Sequence, residues 1–330
     1  MFDIIFLSFM GQALWLWLIF FAVVIILLAL DLGVFHKDQH EISMQESLKM
    51  SAGYISVGLL FSAWIYFQMG SIHAADYLTG FLIEKSLSLD NIFVIALIFS
   101  SFHIPLKYQH RVLFWGVVGV IILRGIMIGA GATLVEHFEW LLYVFAAFLV
   151  ITGVKLLMTR EEQEEVDMAN NKMILFLKRH IRLSSVLEGQ KFFVRLPDPK
   201  TQKLVYYGTP LLLALISIET ADVIFAVDSV PAIFTITTEP YVIYTSNIFA
   251  ILGLRALYFA LAAVIHKFAY LKYALALVLI FIGSKLFIAD LLGMEKFPSL
   301  LSLGITVALL GGGVVVSLLG APKAETETKG

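Results

Sequence analysis

The chain has 330 residues, 60% hydrophobic and 15% charged, with a formal net charge of −2 and no cysteine; its mean hydropathy is +0.90. A soluble domain with a polar surface cannot be built from such a composition, so an integral membrane protein is expected. The missing cysteines exclude disulfides, thiolate metal ligands and thiol redox chemistry, and the thin spread of charge offers nothing to a nucleic acid.

Runs near 20 apolar residues, the length a helix needs to cross a hydrocarbon core about 30 Å thick, recur almost throughout. In chain order they fall at 13–34, 49–68, 77–101, 111–133, 138–158, 208–236, 246–265, 270–289 and 298–320. The sequence therefore predicts an all-α membrane protein with about nine transmembrane helices. The runs are continuous and about twice as long as the alternating strands of an outer-membrane barrel, which excludes that class. The first has no basic residue before it and ends in Asp31, Leu32 and Gly33, so it reads as a span and not as a removable signal peptide.

Lys and Arg recur in 35–49, 102–111, 160–207 and 266–272 and are scarce in the alternate loops. By the positive-inside rule this predicts an N-terminus outside, a C-terminus in the cytoplasm and a cytoplasmic 160–207 segment. The long 160–207 segment opens with Glu161, Glu162, Glu164 and Glu165, and turns basic at Lys178, Arg179 and Arg182. It ends in two β-prone pieces, FFVRL and LVYY, which flank PDPKTQK and read as a hairpin.

On either side of that segment the same pattern recurs. Asp90 to Phe93 matches Asp222 to Phe225, Leu123 and Arg124 match Leu254 and Arg255, and Gly153 to Lys155 matches Gly283 to Lys285, at offsets of 132, 131 and 130 residues. Each unit holds three spans, so the second is expected to cross in the opposite sense: an inverted repeat, as in many secondary transporters. The expected division is 1–76 (spans one and two), 77–159 (first three-helix repeat), 160–207 (cytoplasmic loop with hairpin), 208–290 (second repeat), 291–320 (last span) and 321–330 (a disordered tail).

The repeats carry the polar residues. On the third span Glu84, Ser88 and Asn91 share a face at i, i+4, i+7, and Asp90 borders it. On the sixth, Glu219 and Asp222 share a face, Ser229 continues it, Asp228 lies on the adjacent flank, and Pro231 frees the carbonyl of Val227. A carboxylate at mid-membrane is expensive and reads as functional. An oxygen-rich site without sulfur or paired imidazole suits a hard divalent ion such as Mn²⁺, Mg²⁺ or Ca²⁺. The bland alternative is that these acids only neutralise Lys85, Arg124, Lys155, Arg255 and Lys285 as structural ion pairs, with Glu84 pairing with Lys85. His36, His40 and Glu41 read as a surface loop, and His266 and Lys267 as interfacial. The five tryptophans read as an aromatic belt, and Gly311 to Gly313 as a close helix contact. No nucleophile with a His partner, P-loop or dinucleotide fingerprint is found, so no enzyme is expected.

The stretches EKSLSLDN at 84–91, ETADVIFAVDSVPAIF at 219–234 and FIGSKLFIAD at 281–290 closely resemble the TerC family, in particular its Alx branch, from about Asp31 to the last span. That family is named for tellurite resistance, looks related to small cation and amino-acid exporters, and includes members implicated in Mn²⁺ export. Its motif acids fall on Glu84, Asp90, Glu219, Asp222 and Asp228. Tellurite is an anion that a midplane lined with acids would repel, so resistance reads as an indirect effect of metal balance or of membrane partners. Together with the inverted repeat and the midplane carboxylates, the resemblance points to a secondary transporter of a bacterial inner membrane that exports Mn²⁺ from the cytoplasm, with protons expected to move the opposite way. Asp90, Asp222, Asp228, Glu219, Asn91 and Glu84 would then serve the metal, and Asp31, Arg124, Arg255, Lys85, Lys155 and Lys285 would be structural or gating residues. No tightly bound cofactor is expected: Mn²⁺ is substrate, and the other partners are the lipid bilayer and membrane proteins. The alternative is a non-transporting scaffold in tellurite or metal stress that docks partners through its cytoplasmic loop.

Overall fold

Backbone groups inside a bilayer must be satisfied within the chain, and helices do this locally. The computed structural model describes residues 8–33, 44–158, 182–184, 187–197, 203–261, 271–294 and 296–320. Its helices are α1 (Leu14–Gly33), α2 (Met44–Met69), α3 (Ser71–Ser101), α4 (Leu106–His137), α5 (Leu141–Met158), α6 (Pro210–Ile236), α7 (Pro240–Ile251), α8 (Leu254–Leu261), α9 (Leu271–Leu291) and α10 (Ser299–Gly320). Two short hairpins accompany them, β1 (Ser8–Phe9) with β2 (Gln12–Ala13), and β3 (Phe193–Pro197) with β4 (Leu204–Gly208). The second pairs antiparallel from Phe193 opposite Gly208 to Pro197 opposite Leu204. The expectations for His36, His40 and Glu41, the acidic run at 161–165, Lys178, Arg179, His266, Lys267 and the tail at 321–330 lie outside the described residues.

Among the described residues, eight helical segments are long and apolar enough to cross a membrane, and the fold is that of an all-α membrane protein. α3 is not among the eight although its 31 residues reach about 46 Å. It carries Asp76, Glu84, Lys85 and Asp90, which lower its hydropathy. One expected span is corrected. The run at 246–265 was read as continuous, whereas the helix starts six residues earlier, with Pro240 in its first turn, and breaks at Leu252 and Gly253 before α8. Proline is suited to a first helical turn, and Gly253 has φ +83°, a conformation that glycine adopts without penalty.

Contacts fix the helix directions. Asn91 bonds Asp222 while Gly80 meets Ile233, so α3 and α6 run antiparallel. Gly153 abuts Ala276 and Ile280 while Gly283 abuts Ala146 and Val150, so α5 and α9 also run antiparallel. Residues 240–260 form the most enclosed segment, 83% buried against 17% for α5. Two apolar clusters divide the interior. On α4 the first takes Val112 to Val120 and the second Ile128 and Val135; on α6 the first takes Leu211 to Ile218 and the second Ala226 to Ile236. Arg124 and Asp222 occupy the gaps between them.

One packing expectation holds only in part and another fails. Trp17 is buried, packed against Tyr241 and Tyr244 with its Nε1 donating to the Phe9 carbonyl at 3.0 Å, whereas Trp115 and Trp140 are exposed in the manner of an aromatic belt. Close helix packing is absent at Gly311 and Gly312, where an added Cβ would meet nothing within 4 Å. It occurs instead at Gly153 and Gly283, where a Cβ would come within 2.7 Å and 2.5 Å of backbone carbonyl oxygens. Gly283→Ala is therefore expected to destabilise the protein by about 1–3 kcal/mol and Gly311→Ala to leave it unchanged or slightly more stable, read from thermal unfolding of the purified protein.

Candidate functional site

Arg124 is 1% exposed and sits midway along α4, where its guanidinium meets three other helices. From α6, Asp222 accepts from Nε at 3.3 Å and from Nη2 at 3.2 Å. From α3, Glu84 accepts from Nη1. Nη1 also reaches Ser229 Oγ and, from α7, Asn247 Oδ1, each at 3.1 Å. Asn247 closes the ring by donating Nδ2 to the other Glu84 oxygen at 3.2 Å. A guanidinium offers five donors in a planar fork and suits such a junction. It can balance only one of the two carboxylates it holds, so the centre keeps an acidic excess.

Two further groups border this ring. Asn91, 6% exposed, approaches Asp222 Oδ1 with its Nδ2 at 3.5 Å, which leaves its own Oδ1 buried with no partner. Glu219 fits against the notch of Gly119 on α4, where a Cβ would come within 2.7 Å of both carboxylate oxygens, and its Oε2 is likewise buried without a partner. Buried polar atoms are seldom left unmatched.

Two cavities meet at Asn91 and Phe225. One, about 160 Å³, is lined by Asn91, Arg124, Phe225 and Ser229 together with α5 and α9. The other, about 20 Å³, is lined by Asn91, Asp222, Phe225 and Arg255. One water needs roughly 10–15 Å³, so the small cavity holds a single water-sized guest and the large one several. They lie on opposite sides of one level, since the first takes residues 87–91 of α3 and 225–229 of α6, and the second 91–95 and 218–225.

The sequence-predicted residues are thus distributed unevenly. Glu84, Asn91, Asp222 and Arg124 converge, and Glu219 sits beside them against Gly119. Asp90 and Asp228 lie on α3 and α6, and their side chains fall outside the described residues. Among the described residues no three Asp, Glu, His or Cys side chains converge as a metal cluster. Glu84 does not pair with Lys85, because consecutive residues on a helix face different directions: Glu84 turns to Arg124, and Lys85 to the carbonyls of Ala250 and Leu252. Arg255, the match of Arg124, pairs with Asp31 of α1, whose carboxylate Tyr54 also hydrogen-bonds. Lys155 lies exposed in the last turn of α5. Lys285 is buried and reaches Ser302 Oγ at 3.5 Å. Asn247 escaped the sequence reading; a Thr-Ser-Asn run inside an apolar stretch was the signal available.

A bundle of apolar helices enclosing a buried, charged ring that is flanked by cavities defines a multi-pass integral membrane protein with a polar centre. The chain belongs to the integral membrane protein TerC family, whose model matches residues 69–325, a range that takes in the ring and leaves out Asp31. It is 47% identical over 303 residues to an uncharacterized membrane protein of Rickettsia bellii, covering 92% of this chain and 97% of that protein. It is 45% identical over 311 residues to a membrane protein of Myxococcus xanthus, covering 94% of each. A relative from Escherichia coli K12, Alx, described provisionally as a membrane-bound redox modulator, is 43% identical over 304 residues, covering 89% of this chain and 91% of Alx. No solved structure matches.

Removing one partner of a desolvated ion pair leaves the other uncompensated, at a cost of about 3–5 kcal/mol. Arg124→Leu is expected to lower stability by that order, and adding Glu84→Gln to recover part of the loss. Thermal unfolding of the single and double variants measures the coupling.

Proposed function

We propose that the protein is a secondary transporter that exports a divalent cation, Mn²⁺ foremost, from the cytoplasm in exchange for protons. The observation that carries this reading is the buried, unpartnered oxygen of Asn91, a residue only 6% exposed, which stands beside Asp222 at the residue level shared by both cavities. An amide oxygen and a carboxylate with an acidic excess are donors for a hard cation and poor hosts for an anion. Family membership and the antiparallel packing of the matched helices, α3 against α6 and α5 against α9, support alternating access around this level.

Arg124 has a part in such a cycle. With the site empty, its guanidinium holds Asp222 and Glu84 together and spares two bare carboxylates the low-dielectric interior. An arriving cation, bound by Asp222 with Asn91 and with Asp90, Asp228 or Glu219, would release Arg124 to Glu84 alone. With the N-terminus outside and the membrane a bacterial inner one, the small cavity beside Asp222 and Arg255 lies on the cytoplasmic side of this level. The chain has no cysteine, so a redox effect of the kind in the Alx description would act here through metal balance and not through a thiol couple.

Saturable Mn²⁺ flux is expected in proteoliposomes, accelerated by a proton gradient directed against the metal. Losing one charged ligand removes about 1.5–3 kcal/mol, or roughly ten- to a hundredfold in binding. Asp222→Asn should therefore cut both flux and Mn²⁺ affinity by at least that lower factor. Normal flux and normal metal binding in Asp222→Asn would sink the reading.

A further inference from the structure

The break between α7 and α8 exposes backbone oxygens where no water is at hand. The amides that flank it, Leu252 N–H to Ile248 O before the break and Leu257 N–H to Gly253 O after it, each at 2.9 Å, leave the carbonyls of Ala250 and Leu252 to other donors. Ala250, Ile251 and Leu252 are at most 2% exposed, so hydration is not available to them. The turn itself is locked, because Gly253 has φ +83° and a Cβ there would come within 2.7–2.8 Å of Tyr54.

Both carbonyls receive the same donor. Lys85 Nζ, arriving from α3, lies 2.9 Å from Ala250 O and 3.4 Å from Leu252 O. These partners are neutral oxygens, while the neighbouring carboxylate of Glu84 turns away to Arg124. A full positive charge therefore rests on the C-terminal end of a half-helix, where the partial charge of the peptide dipoles is negative. Unwound carbonyls at the ends of discontinuous membrane helices are the donors with which transporters hold Na⁺ or H⁺.

We propose that the C-terminal end of α7 is a monovalent-cation site whose resident cation is the chain's own Lys85 ammonium. The wild-type protein accordingly needs no alkali ion there, and a chain without the ammonium takes up Na⁺ or K⁺ in its place. This assignment stands apart from Mn²⁺ export, and its test reads stability and not flux.

The experiment is thermal unfolding of purified wild-type, Lys85→Ala and Lys85→Gln proteins in NaCl, KCl and choline chloride at equal ionic strength. In choline, Lys85→Ala is expected to unfold well below wild type. Na⁺ or K⁺ should raise its midpoint by about 2 °C or more by mass action on the folded state, while the wild-type midpoint is the same in all three salts. An equal midpoint for Lys85→Ala in the three salts overturns the proposal. If Lys85→Ala cannot be recovered folded, Lys85→Gln carries the comparison, since its amide keeps a donor but no charge. An alkali-specific rise supports a cation site, and a midpoint indifferent to salt assigns Lys85 to ordinary hydrogen bonding.

Discussion

A guanidinium cannot lie unsolvated in a membrane interior unless the protein itself supplies its solvent. Arg124 sets that constraint, and the core of the bundle answers it. α3, α6 and α7 each contribute a side-chain oxygen to its fork. Apolar packing gains little between helices already immersed in lipid, because hydrocarbon is as good a neighbour as leucine. A shared polar ligand set gives these helices a reason to adopt one register, and it falls in the gap that the two apolar clusters leave on α4 and α6.

The matched arginines show how similar sequence can serve different attachments. Arg124 is held by residues that all lie between 77 and 290, whereas Arg255 is held by Asp31 on α1, outside that stretch. Each lines one of the two cavities. On the export reading, opening the cavity beside Arg255 would involve α1, and opening the one beside Arg124 would involve only the central helices. The extra N-terminal helix would then bias one half of the cycle.

Hydropathy made the membrane class and most spans legible, because a bilayer demands length and apolarity that few other settings do. The acidic motifs were legible for the same reason, as charges in an apolar run. The partners were not. That Glu84 faces Arg124 and not Lys85 depends on helix rotation, and that Asn247 completes the ring depends on how α7 docks, neither of which is written in local sequence. The break at Gly253 was passed over because one glycine inside an apolar run reads as a weak perturbation. Its significance lies in Lys85, more than 160 residues away in the chain. The helix contacts that glycine permits were misassigned to Gly311 and Gly312 because a run of glycines is conspicuous, while the single residues Gly153 and Gly283 do the packing.

The enclosure of residues 240–260 also bears on how the protein is made. That segment has a mean hydropathy of only 1.4 in its best window, among the lowest of the eight, and it carries Thr245, Ser246, Asn247 and Arg255, all buried. An arginine at the centre of a lone helix opposes insertion by about 2.5–3.5 kcal/mol. Left to itself in lipid the segment would partition poorly, so its entry during synthesis depends on α3 and α4 being already in place to receive its polar side chains. Defects in Glu84, Arg124 or Asp31 would then emerge at the translocon, as chains with a misplaced loop, before any question of transport arises.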